Sequence, residues 1–356
     1  MKISRLYLEN FRLFQKKLIK FSGSKVLISG KNACGKTSLL ESVNILLSGK
    51  TFRGSGLAEC VGKSKEHFSL ALLGNERKNK IRIACKKSLT SRLSVSREMN
   101  SKPIKRKEIP FMSVVLGKKL NLVSGEAELR RDFLLKMMFH VKPAFKSNYS
   151  KYLKTLSQRN KLLKRGAKKQ EVFVWSRGLA ELGEEIIAEQ SVFFEAYCNN
   201  LDQYFDGLEA RHNISFLPFT TLKLHRGWVG SKKFSEALDE SYEKDKALGY
   251  TTTGPHRSDI FFAVKRRKAE DVLSRGQQKL LILLLYLNIY PFFNNHFNLS
   301  SIFLIDDLSS ELDSENLVLI LKEILEAENQ VFASLISLEG LGAGGSFLSN
   351  FDHINL

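Results

Sequence analysis

The sequence predicts an α/β fold that is interrupted along the chain by a helical lobe, and three observations lead to this prediction. A glycine-rich loop, Gly30–Thr37, lies between a short apolar run and a stretch with helical spacing. A second apolar run, Ile302–Ile305, ends in two adjacent carboxylates. Between them, in the region 143–201, apolar residues recur at helical spacing along two stretches of opposite charge. Short buried strands alternating with helices are typical of a covered sheet, whereas a long helical pair forms a lobe of its own.

The glycine-rich loop reads GKNACGKT and fits the pattern G-x-x-x-x-G-K-[ST]. Val26–Ile28 before it has the composition of a buried strand, and Ser38–Leu47 after it has apolar residues at helical spacing. Backbone N–H groups of such a loop and the positive end of the following helix dipole bind phosphate. We therefore predict a nucleotide site in which Lys36 contacts the phosphates and Thr37 holds Mg²⁺.

The remaining predicted nucleotide contacts are the other loop residues and the residue that follows: Gly30, Lys31, Asn32, Ala33, Cys34, Gly35 and Ser38. We interpret Cys34 as a small residue that the loop tolerates rather than as a redox switch.

The composition is strongly basic, with 56 Lys and Arg residues against 37 Asp and Glu and a formal net charge of +19. Such a charge attracts polyanions, with nucleic acid first and an acidic membrane surface second. Cations concentrate in two blocks, of which 77–107 contains the single acid Glu98 and 146–169 contains none. We interpret the two blocks together as contacts with polyphosphate, although any single lysine is better explained as a solvated surface residue.

The sequence favours a reduced, cytoplasmic setting without a membrane partner. The N-terminus has no apolar signal core, and the most apolar run, Leu280–Tyr290, is too short to cross a bilayer and reads as a buried helix. The cysteines have no metal-ligand spacing and are too few for a disulfide scaffold: Cys34, Cys60, Cys85 and Cys198.

We expect a discontinuous head, 1–117 with 247–356, and an inserted lobe, 118–246. Short apolar segments up to residue 107, separated by charged or Gly/Asn turns, predict an antiparallel sheet in the head: Phe68–Leu73, Ile81–Ala84 and Leu93–Val95. In the lobe, a basic helix from Pro143 and an acidic helix after Gly166 predict a short antiparallel coiled coil.

Other polar groups of the sequence are less specific. The pair Arg130-Arg131 on a predicted helix has two interpretations, surface charge or a contact with phosphate or a partner subunit. The segment TTTGPHRSD is a polar turn in which Gly254 and Pro255 hold His256 and Arg257.

Two further segments carry phosphate chemistry. In LSRGQQK, Ser274 is a candidate N-cap and Gly276 allows close approach to the backbone, so the following helix begins with a second possible phosphate site. In SIFLIDD, Asp306 and Asp307 end a buried strand, where a Mg²⁺ ligand and a water-activating base belong. The alternative is that the two aspartates cap a helix.

In this order, GKNACGKT, LSRGQQK, FLIDD and SSELD resemble the ABC-type ATPases of the SMC class, and more closely the RecF family of bacterial recombination and repair proteins. LYLENFRLF and GPHR add to the resemblance, which covers essentially the whole length. It implies an ABC-type P-loop ATPase head with the inserted helical lobe. The segment Leu120–Leu135 also fits the family pattern, with departures in and just before it at Gly117, Lys118, Ala127 and Leu135.

The resemblance implies ATP and Mg²⁺ as cofactors. Asp306 would be a metal ligand, and Asp307 would be the catalytic base, acting with Lys36. Because aspartate is one methylene shorter than the glutamate common in the wider class, slow turnover is implied. Arg12 would reach phosphate.

The resemblance also implies a homodimer that forms on ATP binding. Ser274 and Gly276 would bind the γ-phosphate of ATP held by the other copy, and Asp313 would lie at the same interface. The dimer would bind duplex DNA at gaps or single-strand/double-strand junctions, work with RecR and RecO, and help RecA to load. The alternative function is a nucleotide-switched DNA-binding scaffold in which hydrolysis is incidental.

Overall fold

The protein is described from a computed structural model, which covers residues 1–54, 56–105, 111–116, 121–336 and 342–356. It forms two compact units, the first made of residues 1–120 and 275–356 and the second of residues 121–274. The first expected boundary, between Gly117 and Lys118, falls outside the described residues.

The strands, in chain order, are β1 (Lys2–Phe11), β2 (Phe14–Lys20), β3 (Lys25–Ser29), β4 (His67–Glu76), β5 (Asn79–Ser88), β6 (Ser94–Met99), β7 (Lys102–Pro103), β8 (Phe111–Leu116), β9 (Thr220–His225), β10 (Asp259–Val264), β11 (Arg267–Lys268), β12 (Ser300–Ile305), β13 (Gln330–Ser334) and β14 (Asp352–Asn355). The α-helices are α1 (Lys36–Ser48), α2 (Ala127–Val141), α3 (Pro143–Lys164), α4 (Lys169–His212), α5 (Phe234–Glu240), α6 (Tyr242–Leu248), α7 (Ala269–Val272), α8 (Arg275–Leu287), α9 (Ile289–Phe297) and α10 (Ser314–Glu326).

The described residues of the first unit form two sheets. One is five-stranded in the order β14-β3-β13-β12-β8, and each neighbouring pair is parallel. The other is six-stranded in the order β2-β1-β4-β5-β6-β7 and antiparallel. The antiparallel segments predicted from the sequence become β4, β5 and β6. The α/β class is therefore confirmed in a mixed form, with one parallel and one antiparallel sheet.

Helix α1 is buried along most of its length, since every residue from Ser38 to Leu47 is buried. One continuous core joins it to Leu6 and Ile83 of the antiparallel sheet and to Leu304 of the parallel sheet. A helix that buries its polar residues together with its apolar ones lies inside a domain rather than on its surface. Because each buried leucine or isoleucine contributes about 1.5–3 kcal/mol, this packing fixes the helix and the loop that precedes it.

The second unit is mainly helical. Helices α3 and α4 are joined by a short turn in which Gly166 has φ 67°, a left-handed conformation that glycine adopts readily. The two helices fold back on each other and are in contact, as the hydrogen bond from Arg159 Nε of α3 to Ser176 Oγ of α4 at 2.9 Å shows. The predicted antiparallel pair is therefore present, with the second helix reaching 44 residues.

A small sheet in the order β11-β10-β9 completes the second unit. Because β10 pairs with β9 from Asp259 to Val264, residues 247–274 belong to this unit and not to the head, where the sequence had placed them. Strand β9, which pairs with β10, lies within the expected lobe. The boundary between the two units is therefore set by strand pairing and not by position along the chain.

The Arg130-Arg131 pair of α2 lies against the polar turn before β10. Arg130 binds the Asp259 carboxylate through Nε at 2.6 Å and Nη2 at 2.9 Å, and its Nη1 donates to the carbonyl oxygens of Leu122 and Gly125. Arg131 donates to the Ser258 carbonyl oxygen at 2.9 Å. Both side chains therefore hold the turn in place, a role that the sequence did not indicate.

His256, in the same turn, is half-buried with both ring nitrogens engaged. Nδ1 is 2.7 Å from the Tyr152 hydroxyl, and Nε2 is 3.1 Å from the Thr251 carbonyl oxygen. Since a carbonyl can only accept, Nε2 carries the proton and Nδ1 accepts from Tyr152. Beside it, the fully buried Arg159 and Asp245 form an ion pair at 2.8 Å. These contacts tie the turn to α3 and α6.

One stretch, Arg275–Phe297, is long and apolar enough to cross a bilayer by length and composition alone. Within the protein 67% of its most apolar window is buried, and the stretch consists of α8 and α9 on either side of the buried Asn288. Burial in the first unit explains its composition, as expected for a core helix.

The pKa of His256 is lowered from 6.5 to about 4, mainly by burial and further by Arg257 and Arg131, while Thr251 and Asp245 act in the opposite direction. Between these pH values the unfolded chain binds a proton that the folded chain does not, so the free energy of unfolding falls as the pH is lowered. We expect a loss on the order of 3 kcal/mol at most between pH 6.5 and about 4.

The measurement is urea unfolding followed by tryptophan fluorescence, because both tryptophans of the chain, Trp175 and Trp228, lie in the second unit. His256→Gln removes the titrating group and should make the acid loss smaller than in the wild type. Equal losses in the two proteins would contradict the prediction.

Candidate nucleotide-binding site

The loop Gly30–Thr37 follows β3 and leads into α1, as the sequence predicts. Gly30 has φ 148° and Gly35 φ 112°, conformations that other residues rarely adopt. A Cβ on Gly35 would lie 2.7 Å from Phe14 Cζ, and one on Gly30 would lie 2.8 Å from the Leu356 carbonyl oxygen. The two glycines therefore allow the loop to close tightly, with its N–H groups at the start of α1.

Lys36 is the first residue of α1, and its ammonium group folds back over the loop. It donates to the carbonyl oxygens of Gly30 at 2.6 Å and Lys31 at 2.9 Å. These acceptors hold the charge at the place where the pattern puts nucleotide phosphates. The Lys36 contact with phosphates stays a prediction, and the structure places the ammonium group beside the loop that would bind them.

Asp306 follows β12 and meets the loop from the neighbouring part of the parallel sheet. Its Oδ1 accepts from Thr37 Oγ1 at 2.9 Å and from Ser334 Oγ at 2.9 Å. Strand β13, which ends at Ser334, lies between β3 and β12. The carboxyl ends of three adjacent parallel strands thus bring the loop, the serine and the aspartate together.

A hydroxyl and a carboxylate in contact are the hard oxygen ligands that Mg²⁺ prefers. Asp306 is 8% exposed, so it is held nearly out of solvent while Thr37 lies at the N-terminus of α1. These two residues fit a Mg²⁺ ion, which usually keeps several waters and takes one or two protein ligands in addition to phosphates.

Asp307 lies beyond the strand in a left-handed conformation, with φ 59°. Its backbone N–H donates to Ser334 Oγ at 2.9 Å, and Lys279 Nζ donates to its carbonyl oxygen at 3.0 Å. The helix that follows the acid pair, α10, is capped by Asp313, whose side chain accepts from the Asn316 N–H at 2.8 Å. The alternative that Asp306 and Asp307 cap this helix is therefore wrong.

Arg12 lies in the turn between β1 and β2, next to the Phe14 side chain that covers Gly35. Its guanidinium donates to the buried Glu41 carboxylate of α1, through Nε at 3.0 Å and Nη2 at 2.9 Å. The contact with phosphate expected for Arg12 stays a prediction. The structure places this arginine where it joins the turn to α1.

Ser274 and Gly276 lie at the start of α8, far along the chain from the loop Gly30–Thr37. Ser274 is exposed immediately before the helix, and Gly276 is half-buried in its first turn. Asp313 is also exposed. These three positions are therefore accessible to a second molecule.

The sequence did not indicate the roles of three further residues. Glu41 is a carboxylate between the apolar residues Leu40 and Val43 of a predicted core helix, and a charge at such a position is the signal that the sequence offers. Lys279 contacts the chain after β12 through the carbonyl oxygens of Asp307 and Ser310. Ser334 ends β13, and its bond to Asp306 could not be read from the sequence.

Comparisons with known proteins agree with this architecture. The family model for the RecF/RecN/SMC N-terminal domain matches residues 2–340. The DNA replication and repair protein RecF of Psychromonas ingrahamii is 30% identical over 346 residues, which cover 96% of this chain and 94% of that protein. The protein of the same name from Actinobacillus succinogenes is 31% identical with the same coverage.

The fold has solved counterparts. A structure of the recombination mediator protein RecF with ATP in the RecFOR pathway aligns with a TM-score of 0.74 and 24% identity, over 95% of this chain and 93% of that one. An Smc head bound to the C-terminal winged-helix domain of ScpA aligns with a TM-score of 0.53 and 15% identity, over 100% and 94% of the two chains. The chain therefore has the fold of an ABC-type ATPase head with a helical lobe, and it belongs to the RecF family.

Proposed function

We propose that this protein is an ATP-dependent DNA-binding protein of recombinational repair. The observation that carries the proposal is the contact of Thr37 with Asp306 beside the Lys36 ammonium. This contact joins the phosphate loop to the end of β12, where the two aspartates lie. The name of its sequence relatives, DNA replication and repair protein RecF, and the ATP in a solved RecF relative support it.

ATP binds with its phosphates in the loop Gly30–Thr37, where backbone N–H groups and the N-terminus of α1 face the negative charge. Lys36 leaves the carbonyl oxygens of Gly30 and Lys31 for the phosphates. Thr37 and Asp306 would hold Mg²⁺, which when bound neutralises charge on the phosphates. The other loop residues, from Lys31 to Gly35, and Ser38 follow as backbone contacts.

For hydrolysis, Asp307 is the group that orients and deprotonates the attacking water. Ser334 fixes its position, because the serine hydroxyl accepts from the Asp307 N–H and donates to Asp306. The short aspartate side chain makes this a slow ATPase. Product release removes the γ-phosphate from the site and so ends its contacts with protein.

A second copy completes the site. Ser274 and Gly276 of that copy contact the γ-phosphate at the N-terminus of α8, and Asp313 lies at the same interface. The exposure of Ser274 supports this arrangement, since a buried serine could not reach another molecule. ATP thus holds two chains together, and its hydrolysis releases them.

The dimer binds duplex DNA at gaps or single-strand/double-strand junctions through its phosphates. The net charge of +19 supports a polyanionic partner. We place the protein with RecR and RecO in the loading of RecA, and the RecFOR pathway of the solved relative supports this placement. A cytoplasmic location without a membrane partner is part of the same proposal.

The alternative from another class is a scaffold in which ATP is a structural switch and hydrolysis is incidental. The observation that favours it is the aspartate at position 307, because a carboxylate one methylene shorter than glutamate holds the attacking water less well.

The first prediction separates ATP binding from dimerisation. Lys36→Ala should abolish ATP binding, because it removes the ammonium group held at the phosphate end of the loop, whereas Ser274→Arg should leave binding intact and prevent dimers by placing a bulky charge at the interface. Sedimentation with and without ATP measures the dimer, and equilibrium dialysis measures binding. Ser150→Arg, the same change at an exposed serine of α3, is the control. If Ser274→Arg formed ATP-dependent dimers as the control does, the proposed contact of Ser274 with ATP of the other copy would be rejected.

The second prediction concerns salt. The logarithm of the affinity for duplex DNA should fall linearly with the logarithm of salt concentration, with a slope of about −0.9 for each phosphate contacted, because bound counterions are released. Fluorescence anisotropy with a labelled duplex between 50 and 200 mM salt, roughly the range in which such contacts lose most affinity, gives the slope. A flat line would show that the cations serve another partner.

The third prediction distinguishes an enzyme from a scaffold. Asp307→Asn should slow single-turnover ATP hydrolysis by about 10²–10⁴-fold, because the amide cannot accept the proton of water, and should trap the DNA-bound dimer. Single-turnover hydrolysis with DNA present and the lifetime of the complex are the two readouts. Asp132→Asn, at an exposed acid of α2, is the control. Hydrolysis slowed without any change in the lifetime of the complex would favour the scaffold.

A further inference from the structure

The small sheet of the second unit has one face that its own core does not cover. Residues of β10 alternate, with Ile260, Phe262 and Val264 buried and Phe261 between them 49% exposed. A strand places alternate side chains on opposite faces, so Phe261 points away from the core. An exposed phenylalanine in the middle of a three-stranded sheet has no role in packing that sheet onto its unit.

Basic and aromatic groups surround Phe261. We call this surface the hairpin face, formed by Lys223, His225, Phe261, Lys265, Arg266 and Lys268. Lys223 lies directly opposite Phe261 in the register of β9 and β10, so the two side chains share a face. His225 meets the Phe261 ring edge-on, with ring centroids 6.0 Å apart and an interplanar angle of 84°.

The turn between β10 and β11 places further cations at the end of the same surface. Its two residues are Lys265 with φ 50° and Arg266 with φ 65°. Positive φ at both positions is normally met by Asn-Gly or Gly-Gly, so a Lys-Arg turn is not what hairpin formation alone selects. Lys265 Nζ lies 4.6 Å from the ring centroid of Phe219, which is itself 48% exposed. A second exposed aromatic ring therefore lies beside a cation at the end of the hairpin face.

The acids near this surface do not cancel its charge. Asp259 lies two residues before Phe261, but Arg130 binds both of its carboxylate oxygens. Glu270 is 3.4 Å from Lys268 and offsets that one lysine. Within the part of the chain that the structure describes, Lys223 and Arg266 form no ion pair. The hairpin face thus has a net positive charge around an accessible ring.

We propose that the hairpin face binds an unpaired strand of nucleic acid, with a base stacked on Phe261 and the cations contacting the flanking phosphates. Single-stranded nucleic acid is bound by this combination, because every unpaired base has a free π-face and every linkage carries a negative charge. In a duplex the bases are stacked on each other and cannot meet the ring. The inference rests on the proposed DNA-binding function and deepens it, since it gives a physical basis for preferring a gap or junction over continuous duplex.

The test of stacking uses Phe261→Ala in the full-length protein, with Phe173→Ala as the control because Phe173 of α4 is 53% exposed. Fluorescence anisotropy measures binding to labelled oligo-dT, to a gapped duplex and to a blunt duplex of equal length. We expect Phe261→Ala to lose about tenfold or more in affinity for oligo-dT and for the gap, with the blunt duplex unchanged. Phe261→Tyr keeps a ring and should bind nearly as the wild type does.

The test of charge uses Arg266→Ala, with Lys244→Ala as the control at an exposed cation of α6 in the same unit. On oligo-dT, the slope of log affinity against log salt should become shallower by roughly 0.7 for one lost phosphate contact. Circular dichroism and ATP binding establish that each variant is folded.

The outcomes separate the two proposals. A wild type that binds none of the three DNAs rejects the proposed function and this inference together. A wild type that binds DNA while Phe261→Ala and Arg266→Ala match their controls overturns this inference and leaves the proposed function standing. An equal loss on the blunt duplex would show a backbone contact with duplex DNA and would also reject stacking of an unpaired base.

Discussion

Two hydrogen bonds to one oxygen organise the candidate site. Asp306 Oδ1 accepts from Thr37 Oγ1 and from Ser334 Oγ, each at 2.9 Å, and these three residues end or follow three adjacent parallel strands. Ser334 also accepts from the Asp307 N–H. The acid pair and the phosphate loop are therefore connected through one set of hydrogen bonds. Lys279 extends the connection to α8, since its ammonium group binds the Asp307 carbonyl oxygen. Helix α8 is thus attached by one side chain to the chain segment that carries the acid pair.

The burial of α1 is the constraint that makes this geometry rigid. The helix lies within a core shared by the parallel and antiparallel sheets, so Lys36 and Thr37 at its N-terminus cannot shift without disturbing many apolar contacts. Glu41 adds a polar attachment inside this core, where it binds Arg12 from the turn that also places Phe14 over Gly35. A buried carboxylate is costly without a cation, and the arginine therefore fixes the turn to the helix. This accounts for an arginine in the N-terminal turn whether or not it also contacts a nucleotide.

The second unit is held by polar contacts as well as by its long helices. Arg130 and Arg131 bind the turn that carries His256, and the buried pair of Arg159 with Asp245 stabilises the helices around it. Removal of one partner of such a buried pair would leave an uncompensated charge, so the network acts as a unit. The same Arg130 that holds the turn also neutralises Asp259 at the edge of the hairpin face. Local stability and the charge of a neighbouring surface are in this way determined by one side chain.

The sequence by itself determined the strand, loop and helix around Lys36, the acid pair after β12, the helical pair and the family, because these depend on residues close together in the chain. It also placed Ser274 at the start of a helix. Only the tertiary structure decided that Ser334 binds Asp306, that Arg12 binds Glu41, that Arg130 binds Asp259 and that 247–274 joins the second unit. The physical reason is that periodicity records which face of an element is buried, whereas polar contacts and strand pairing join residues separated by tens to hundreds of positions. Such partners are set by the packing of whole elements and leave no local pattern.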